Sequence, residues 1–140
     1  MTPDRARGND SSNETREATH YVLGDARVGI AIAEQLRTAG HRVAIIDDSY
    51  ESSEIPGFAG DPAAVDVLED AGVETASTVI VVTETDRRNL LIAQLVRTRF
   101  DVSRVIVFVH DPDRVSLFTN AGHETFCVTS ALAQACSKSI

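Results

Sequence analysis

The segment from residue 20 to residue 29, HYVLGDARVG, decides the fold of this chain of 140 residues. Its first four residues, His20 to Leu23, are mostly apolar and predict a short strand. The glycine-bearing turn that follows leads into Arg27 to Thr38, a predicted helix that Gly40 ends. A strand, a tight turn and a helix in this order form the first half of a βαβ unit. The apolar positions of the helix are Val28, Ile32 and Leu36.

The same alternation of short apolar runs and amphipathic segments continues to the end of the chain. Six strands alternating with helices predict a Rossmann-like, three-layer α/β/α fold with a mainly parallel six-stranded sheet of order 3-2-1-4-5-6. The further predicted strands are Val43 to Ile46, a short one around Phe58-Ala59, Thr78 to Val82, Val105 to Val109 and Glu124 to Val128. The further predicted helices run from Pro62 to about Asp70, from about Asp86 to Arg99, from Pro112 to Asn120 and from Ser130 to about Lys138.

Length and composition predict a polar arm followed by one domain. Residues 1–18 show no apolar periodicity and are expected to form a disordered arm, so the folded domain comprises residues 19–140. Hydrophobic residues make up 43% of the chain and aromatic residues 5%, which predicts a mainly aliphatic core. No apolar run approaches the roughly 18 residues of a membrane-spanning helix, and the N-terminus does not resemble a signal peptide. We therefore expect a cytoplasmic protein with no direct membrane insertion.

The charge of the chain excludes one class of partner and favours a salt-rich environment. Twenty-one acidic and 13 basic residues give a formal net charge of −8, which repels the phosphate backbone of nucleic acids. Lys138 is the only lysine, so the other basic residues are arginines. An acidic surface poor in lysine suits a halophilic source, because dense salt screens the repulsion between carboxylates.

The turn between the first strand and the first helix is a candidate phosphate-binding site. Compared with the GxGxxG pattern of dinucleotide-binding folds, the first and third glycines are Gly24 and Gly29, and the middle position is Ala26. The helix N-terminus offers free N–H groups and a positive dipole end to a phosphate. A tight strand-to-helix turn without a ligand explains the same pattern. The candidate residues are Gly24, Asp25, Ala26, Arg27, Val28 and Gly29.

Asp47 strengthens the nucleotide interpretation because it ends the second predicted strand, 23 residues after Gly24. A carboxylate at this place can accept hydrogen bonds from both hydroxyls of a ribose. It would also repel a 2′-phosphate, and Asp48 beside it reinforces that repulsion. The pair therefore favours NAD(H) or an adenine nucleotide, ATP, ADP or AMP, and disfavours NADP(H).

Four stretches between His20 and Ala133 carry a resemblance to a known family: YVLGDARVGIAIAEQL, GHRVAIIDDS, FAGDPAAVDVLEDAGVETASTVIVVTETDRRNLLIAQLVR and VIVFVHDPDRVSLFTNAGHE. They resemble the N-terminal nucleotide-binding domain of potassium-transport regulators, known as the RCK-N, KTN or Trk-type regulator domain. Gly60-Asp61, followed by a helix, a strand and Thr83-Glu84-Thr85-Asp86, is more specific than the glycine turn.

The resemblance implies roles for individual residues. The glycine turn would surround the phosphates, with Arg27 near the terminal phosphate, in some family members across a dimer interface, although a surface salt bridge would equally explain Arg27. Asp47 would hold the ribose. Two positions depart from the family pattern: Ala26 narrows the approach to the phosphates, and Phe108 replaces a frequent arginine. The other implied site residues are Gly60 and Asp61, which would border the adenine, and Thr83 and Glu84, which would line the pocket.

The resemblance also implies a regulatory domain rather than an enzyme. Nucleotide exchange would change the geometry of a homodimer or a larger ring and so control a membrane potassium transporter or channel subunit, which would hold the protein at the inner face of the membrane. The alternatives are a standalone nucleotide-sensing regulator not tied to potassium, or a fragment of an NAD-dependent oxidoreductase. The chain stops without the second ligand domain frequent in the family, so we expect either a fragment or a short regulator that acts in trans.

The remaining chemically notable side chains predict neither catalysis nor a metal site. The four histidines, His20, His41, His110 and His123, are scattered without metal-ligand spacing. Of these, His41 is expected in a solvated turn, and His110-Asp111 at a strand-to-helix cap. Cys127 and Cys136 lack the CxxC spacing and are expected to be buried structural thiols. Leu117 and Phe118 either form a dimer interface or pack against the sheet.

Overall fold

The computed structural model describes Thr15, residues 17–51 and residues 54–140. The strands of this part of the chain are β1 (His20–Leu23), β2 (Val43–Asp47), β3 (Gly57–Ala59), β4 (Thr78–Val81), β5 (Arg104–Val109) and β6 (Glu124–Cys127). The α-helices are α1 (Ala26–Thr38), α2 (Val65–Ala71), α3 (Asp86–Arg99), α4 (Val115–Asn120) and α5 (Val128–Ser139), and single 3-10 turns lie at Val73–Thr75 and Pro112–Arg114.

The strands form one six-stranded sheet of order β3-β2-β1-β4-β5-β6 in which every pair is parallel. This confirms the predicted fold and order. In the register of the central strands, Leu23 lies beside Ile46 on one side and beside Val81 on the other. The carboxyl ends of β1, β2 and β4 therefore lie at the same edge of the sheet. The strand order of the sheet reverses at this place, between β1 and β4.

Both faces of the sheet are buried because successive residues of a strand point to opposite sides. One core cluster joins Leu23 and Val81 of the sheet to Ile92 of α3 and to residues of α2 and α4. A smaller cluster on the other face joins Val22 to Ala33 of α1. The sheet thus forms the middle layer of three, as predicted.

Most predicted element bounds agree with the structure to within two residues, but α2 begins three residues after Pro62. Asp61 explains the difference, because its carboxylate accepts a hydrogen bond of 2.8 Å from the Ala63 N–H and so holds Pro62 to Ala64 in a turn. The predicted helix from Pro112 to Asn120 is a 3-10 turn followed by α4.

Two predictions about burial need correction. The two cysteines are not buried thiols, since Cys136 is exposed and Cys127 is partly exposed. Cys136 lies on α5, which buries none of its residues against the described part of the chain, and Cys127 ends the edge strand β6, whose residues are at most half-buried. Val28 is 40% exposed, because α1 turns Gly29 and Ala33 toward the sheet. Of the two interface candidates, Phe118 is buried and Leu117 is exposed.

The predicted disordered arm lies outside the described residues except near its end. There Thr15 and Ala18 are buried, and the hydroxyl of Tyr21 lies within hydrogen-bonding distance of the carbonyls of Thr15 and Ala71. The last residues of the arm therefore pack on the domain. No helix in the described ranges has the length and apolar character that a membrane crossing requires.

Candidate functional site

A cavity of about 450 Å³ lies outside the carboxyl ends of β1, β2 and β4. This is the place where open α/β sheets bind ligands, because loops on the two sides of β1 diverge there. Its lining combines acidic, basic and hydroxyl side chains. The lining residues are Asp25, Ala26, Arg27, Asp47, Asp48, Ser49, Thr83, Glu84, Thr85 and Arg88.

The glycine turn is shaped by close contacts. Gly24 has a φ of +98°, and a Cβ there would overlap the side chain of Thr83, so β1 and β4 approach at this point only with glycine. A Cβ on Gly29 would lie 3.2 Å from the carbonyl oxygen of Gly24. Because glycine has no Cβ, α1 can pack closely on β1 at this point. Both glycines therefore have structural roles in this strand-to-helix turn.

The N-terminus of α1 carries an acidic side chain at the position where a phosphate would bind. Asp25 is the N-cap residue, with a φ of +34°, and its carboxylate accepts a hydrogen bond of 3.3 Å from the Arg27 N–H. Ala26 is the first residue of the helix and lines the cavity. The positive end of the helix dipole is thus partly offset by Asp25 before any ligand arrives.

Asp47 is 7% exposed and lies at the end of β2. Its Oδ2 accepts hydrogen bonds from the backbone N–H and from the hydroxyl of Ser49, and its carbonyl accepts the Gly60 N–H at 3.1 Å. Its Oδ1 accepts no hydrogen bond from another described residue. A carboxylate fixed on one oxygen and free on the other can accept a hydroxyl of a ribose.

Arg88 forms an ionic bridge beside this carboxylate. Its guanidinium donates a hydrogen bond of 2.7 Å to Asp61 and lies 3.6 Å from Asp48. The Ala63 N–H and then the Arg88 guanidinium lower the pKa of the Asp61 carboxyl. Arg88 thereby joins the loop after β2 and the loop after β3 to the first turn of α3.

The floor of the cavity is held by Asn89, which is fully buried. Its Oδ1 accepts from the N–H of Thr83 at 2.8 Å and from the Thr83 hydroxyl. Its Nδ2 donates to the carbonyls of Thr83 and Phe108, at 3.2 and 2.9 Å. Every hydrogen-bonding group of the amide is used, so Thr83 is held in a defined position.

Asp86, at the start of α3, connects the cavity to β5. Its buried carboxylate accepts the N–H of His110 at 2.7 Å and of Asp111 at 3.0 Å. Asp111 in turn caps the 3-10 turn before α4, as predicted for this pair, and His41 is exposed, also as predicted. Phe108 stacks on Phe126 with ring centroids 5.0 Å apart and does not line the cavity.

The structure brings seven of the predicted site residues into the lining. These are Asp25, Ala26, Arg27, Asp47, Asp48, Thr83 and Glu84. Five predicted residues are not in the lining: Gly24 and Gly29 shape the turn, Val28 is exposed on α1, and Gly60 and Asp61 are bonded to the lining residues Asp47 and Arg88. No group of three or more metal-ligating side chains occurs within the described ranges.

Sequence reasoning missed Ser49, Thr85 and Arg88 in the lining and Asn89 and Asp86 behind it. The signal for Asn89 was available, since it is a polar residue beside the apolar run LLIA on the inner face of a helix. Arg88 gave no such signal, because its acidic partners lie 27 and 40 positions away along the chain.

Comparison with known proteins shows consistent similarities. The family model of the TrkA-N domain matches residues 20–129 of this sequence. The Trk system potassium uptake protein TrkA of Streptomyces coelicolor is 31% identical over 114 residues, which cover 74% of this chain and 50% of that protein. The chain spans about half the length of this relative.

Solved structures with the same fold have also been found. The NAD(P)-binding domain of an exopolyphosphatase-related protein from Archaeoglobus fulgidus has a TM-score of 0.76 at 26% identity, covering 88% of this chain and 97% of that domain. The Kef CTD of Shewanella denitrificans, solved in its AMP-bound form, has a TM-score of 0.70 at 21% identity, covering 82% of this chain and 75% of that one. At this identity the second likeness concerns the fold alone.

Proposed function

The chain belongs to the TrkA-N domain family, and we propose that its cavity binds an adenine nucleotide whose binding regulates potassium transport. The expected ligand is NAD(H), ATP, ADP or AMP, with NADP(H) disfavoured. The domain acts as a sensor rather than as an enzyme. Its relative from Streptomyces coelicolor is a potassium uptake protein, and the AMP-bound Kef structure supports an adenosine ligand for this fold.

The observation that carries the proposal is the free Oδ1 of Asp47 at the edge of the cavity. Asp47 is 7% exposed and its carboxylate is held by Ser49, so the side chain is pre-oriented. Accepting a ribose hydroxyl there adds a charge-assisted hydrogen bond at little cost in side-chain entropy. The phosphates would then extend toward the N-terminus of α1, where Arg27 supplies a cation.

Hydrogen bonds and the first turn of α3 connect the cavity to the segments after β5. Thr83 is bonded to Asn89, and the same helical turn contains Asp86, which binds the backbone before α4. The carbonyl of His110 then accepts the hydroxyl of Thr129 on α5 at 3.0 Å. Ligand-dependent movement of α3 would therefore change the position of α4 and α5.

The surface around α4 and α5 is the proposed contact with other subunits. Leu117 of α4 is 53% exposed, Leu132 of α5 is 62% exposed, and Phe126 of the edge strand β6 is 46% exposed. Large apolar side chains left exposed to solvent are typical of surfaces that bind another protein. We assign this surface to a homodimer or a ring that contacts the membrane transporter or channel subunit. Sedimentation at high protein and salt concentration that finds only monomer would contradict the homodimer.

Nucleotide binding is tested by thermal-shift titration with AMP, ADP, ATP, NAD⁺, NADH and NADP⁺ in concentrated KCl. Adenine nucleotides should raise the melting temperature, because a ligand that binds only the folded state stabilises it. Asp47→Ala should weaken the binding by on the order of ten- to a hundredfold through loss of charge-assisted hydrogen bonds. Asp66→Ala, an exposed acid on α2, serves as the control. No shift with any nucleotide would overturn the proposal.

The regulatory half of the proposal has its own test. Proteoliposomes containing the pore subunit of a Trk-type transporter should take up potassium at a rate that depends on the nucleotide when this protein is added. An equal rate with every nucleotide would favour the alternative of a regulator not tied to potassium. Oxidation of NADH with a small substrate, which the relatives do not suggest, would instead favour an oxidoreductase.

A further inference from the structure

We infer that Arg88 sets how strongly this site rejects a phosphate on the 2′ position of the adenosine ribose. The inference rests on the proposed nucleotide function and makes it more specific. It assigns to Arg88 the role of a specificity-determining residue, one that determines which adenosine ligands fit rather than whether any adenosine ligand binds.

The geometry places the guanidinium among the acids that would surround the ribose. Asp47 ends β2, and Asp48 is the next residue of the same loop. The guanidinium lies 3.6 Å from Asp48 and 2.7 Å from Asp61. Arg88 is 37% exposed in its side chain and lines the cavity, so it can be reached by a ligand group.

The ion pairs of Arg88 weaken the repulsion that Asp48 would exert on a nearby phosphate. Judged by the acids alone, two adjacent carboxylates would oppose a 2′-phosphate. The positive charge of Arg88, which is hydrogen-bonded to Asp61 and lies 3.6 Å from Asp48, offsets part of the repulsion from these carboxylates. Three carboxylates and one guanidinium still sum to −2, so the hydroxyl form of the ribose is preferred, but by less than the acidic loop suggests.

Arg88 also has the chemistry to contact such a phosphate directly. A guanidinium presents five N–H donors in a planar fork that suits phosphate oxygens, and its single short hydrogen bond to Asp61 leaves donors free. An arginine close to the ribose is the common means by which Rossmann folds accept the 2′-phosphate of NADP. In this chain the arginine comes from α3 rather than from the loop after β2.

The experiment compares AMP with adenosine 2′,5′-bisphosphate, two ligands that differ only in the 2′-phosphate. Calorimetric titration of the full chain gives the ratio of their dissociation constants for the wild type and for Arg88→Gln. Arg88→Gln removes a positive charge close to the 2′-phosphate, which carries about two negative charges. The ratio of the bisphosphate Kd to the AMP Kd should therefore rise about tenfold. Because the readout is a ratio, a general loss of affinity does not alter it.

Two further variants complete the test. Arg87→Gln removes the same charge from the neighbouring position, which does not line this cavity, and should leave the ratio unchanged. Asp48→Asn keeps Arg88 and its hydrogen bond to Asp61 and removes one of the three negative charges, so it should lower the ratio. If AMP binds and Arg88→Gln leaves the ratio at its wild-type value, the role of Arg88 is refuted while the proposed function stands. If AMP does not bind the wild type, the proposed function fails and the inference falls with it.

Discussion

Asn89 shows how a single side chain fixes the geometry of the candidate site. Its amide satisfies the N–H and carbonyl of Thr83 and also binds the carbonyl of Phe108, which joins β4, α3 and β5 at one buried point. Buried polar groups that lose their partner cost the full free energy of desolvation. The position of Thr83 in the cavity therefore depends on a residue that no ligand would touch.

Asn89→Leu should lower the free energy of unfolding by about 3 kcal/mol, because it leaves several buried backbone and hydroxyl groups unsatisfied. Urea denaturation followed by circular dichroism measures the effect. Gln94→Leu makes the same chemical change at an exposed position of α3 and should alter stability by less than about 0.5 kcal/mol. Equal effects of the two substitutions would show that the network of Asn89 contributes nothing.

Asp25 is the residue that most directly opposes phosphate at the N-terminus of α1. Asp25→Ser keeps a side-chain oxygen for the N-cap but removes the negative charge. The affinity for ATP should rise roughly tenfold, as expected for loss of one nearby like charge. Isothermal titration with ATP measures this change, and Asp66→Ser on α2 is the matched control. Unchanged or weaker ATP binding would place the phosphates elsewhere.

At the scale of elements, the first turn of α3 connects the cavity to the rest of the sheet. Thr85 caps the helix, Arg88 binds the loops after β2 and β3, and Asp86 binds the backbone that precedes α4. The sequence predicted the bounds of α3 correctly because the cap and the apolar periodicity are local signals. The connections of its side chains are not local, so no pattern of spacing could reveal them.

Asp86→Asn should destabilise the protein by about 2 kcal/mol. An amide has one acceptor oxygen, so one of the two N–H groups of residues 110 and 111 would face the amide NH₂ instead. Urea denaturation gives the size of the loss. Asp113→Asn, an exposed acid in the adjacent 3-10 turn, should change stability little. A loss no larger than that of the control would rule out this role for Asp86.

The contrast between α2 and α5 shows where sequence reasoning fails at this scale. Pro62 fits the first turn of a helix, but the Asp61 carboxylate holds the next residues in a turn instead. For α5, an amphipathic pattern predicted a packed helix with a buried cysteine, yet none of its residues is buried. Periodicity shows that a helix has an apolar face and does not show which partner covers it.

At the scale of the whole molecule, His123 couples stability to pH. It is 5% exposed, and neither ring nitrogen has a hydrogen-bond partner among the described residues. Burial, and then the positive charge of Arg97, lower its pKa below the ordinary value of 6.5. The pKa of His20 is also lowered, first by burial and then by the positive charges of His41 and Arg104.

The melting temperature should therefore fall as the pH is lowered from 7.5 to about 5. Below the ordinary histidine pKa the unfolded chain binds protons that the folded chain does not, so the stability present above pH 6.5 is progressively lost. His123→Leu should make the slope shallower in this window, and His20→Gln should reduce it further. Scanning calorimetry across the window measures the slopes, and an identical slope in His123→Leu would refute the assignment.

The formal charge of −8 leads to a separate expectation about salt. Mutual repulsion of surface carboxylates destabilises the compact state and is screened by dense electrolyte. The melting temperature should rise between about 0.1 M and about 2 M KCl. Full stability in dilute buffer, with no gain in concentrated KCl, would remove the basis for a halophilic source.

The central claim is that an adenine nucleotide binds outside the carboxyl ends of β1, β2 and β4, and mapping by nuclear magnetic resonance tests it most directly. In ¹⁵N spectra of the chain titrated with AMP, the largest amide shifts should fall in residues 24–29, 47–49 and 83–88, which lie in or beside the cavity lining. Asp47→Ala should require a much higher AMP concentration for the same shifts. Saturating AMP that leaves these amides unshifted, or shifts confined to α4 and α5, would contradict the account.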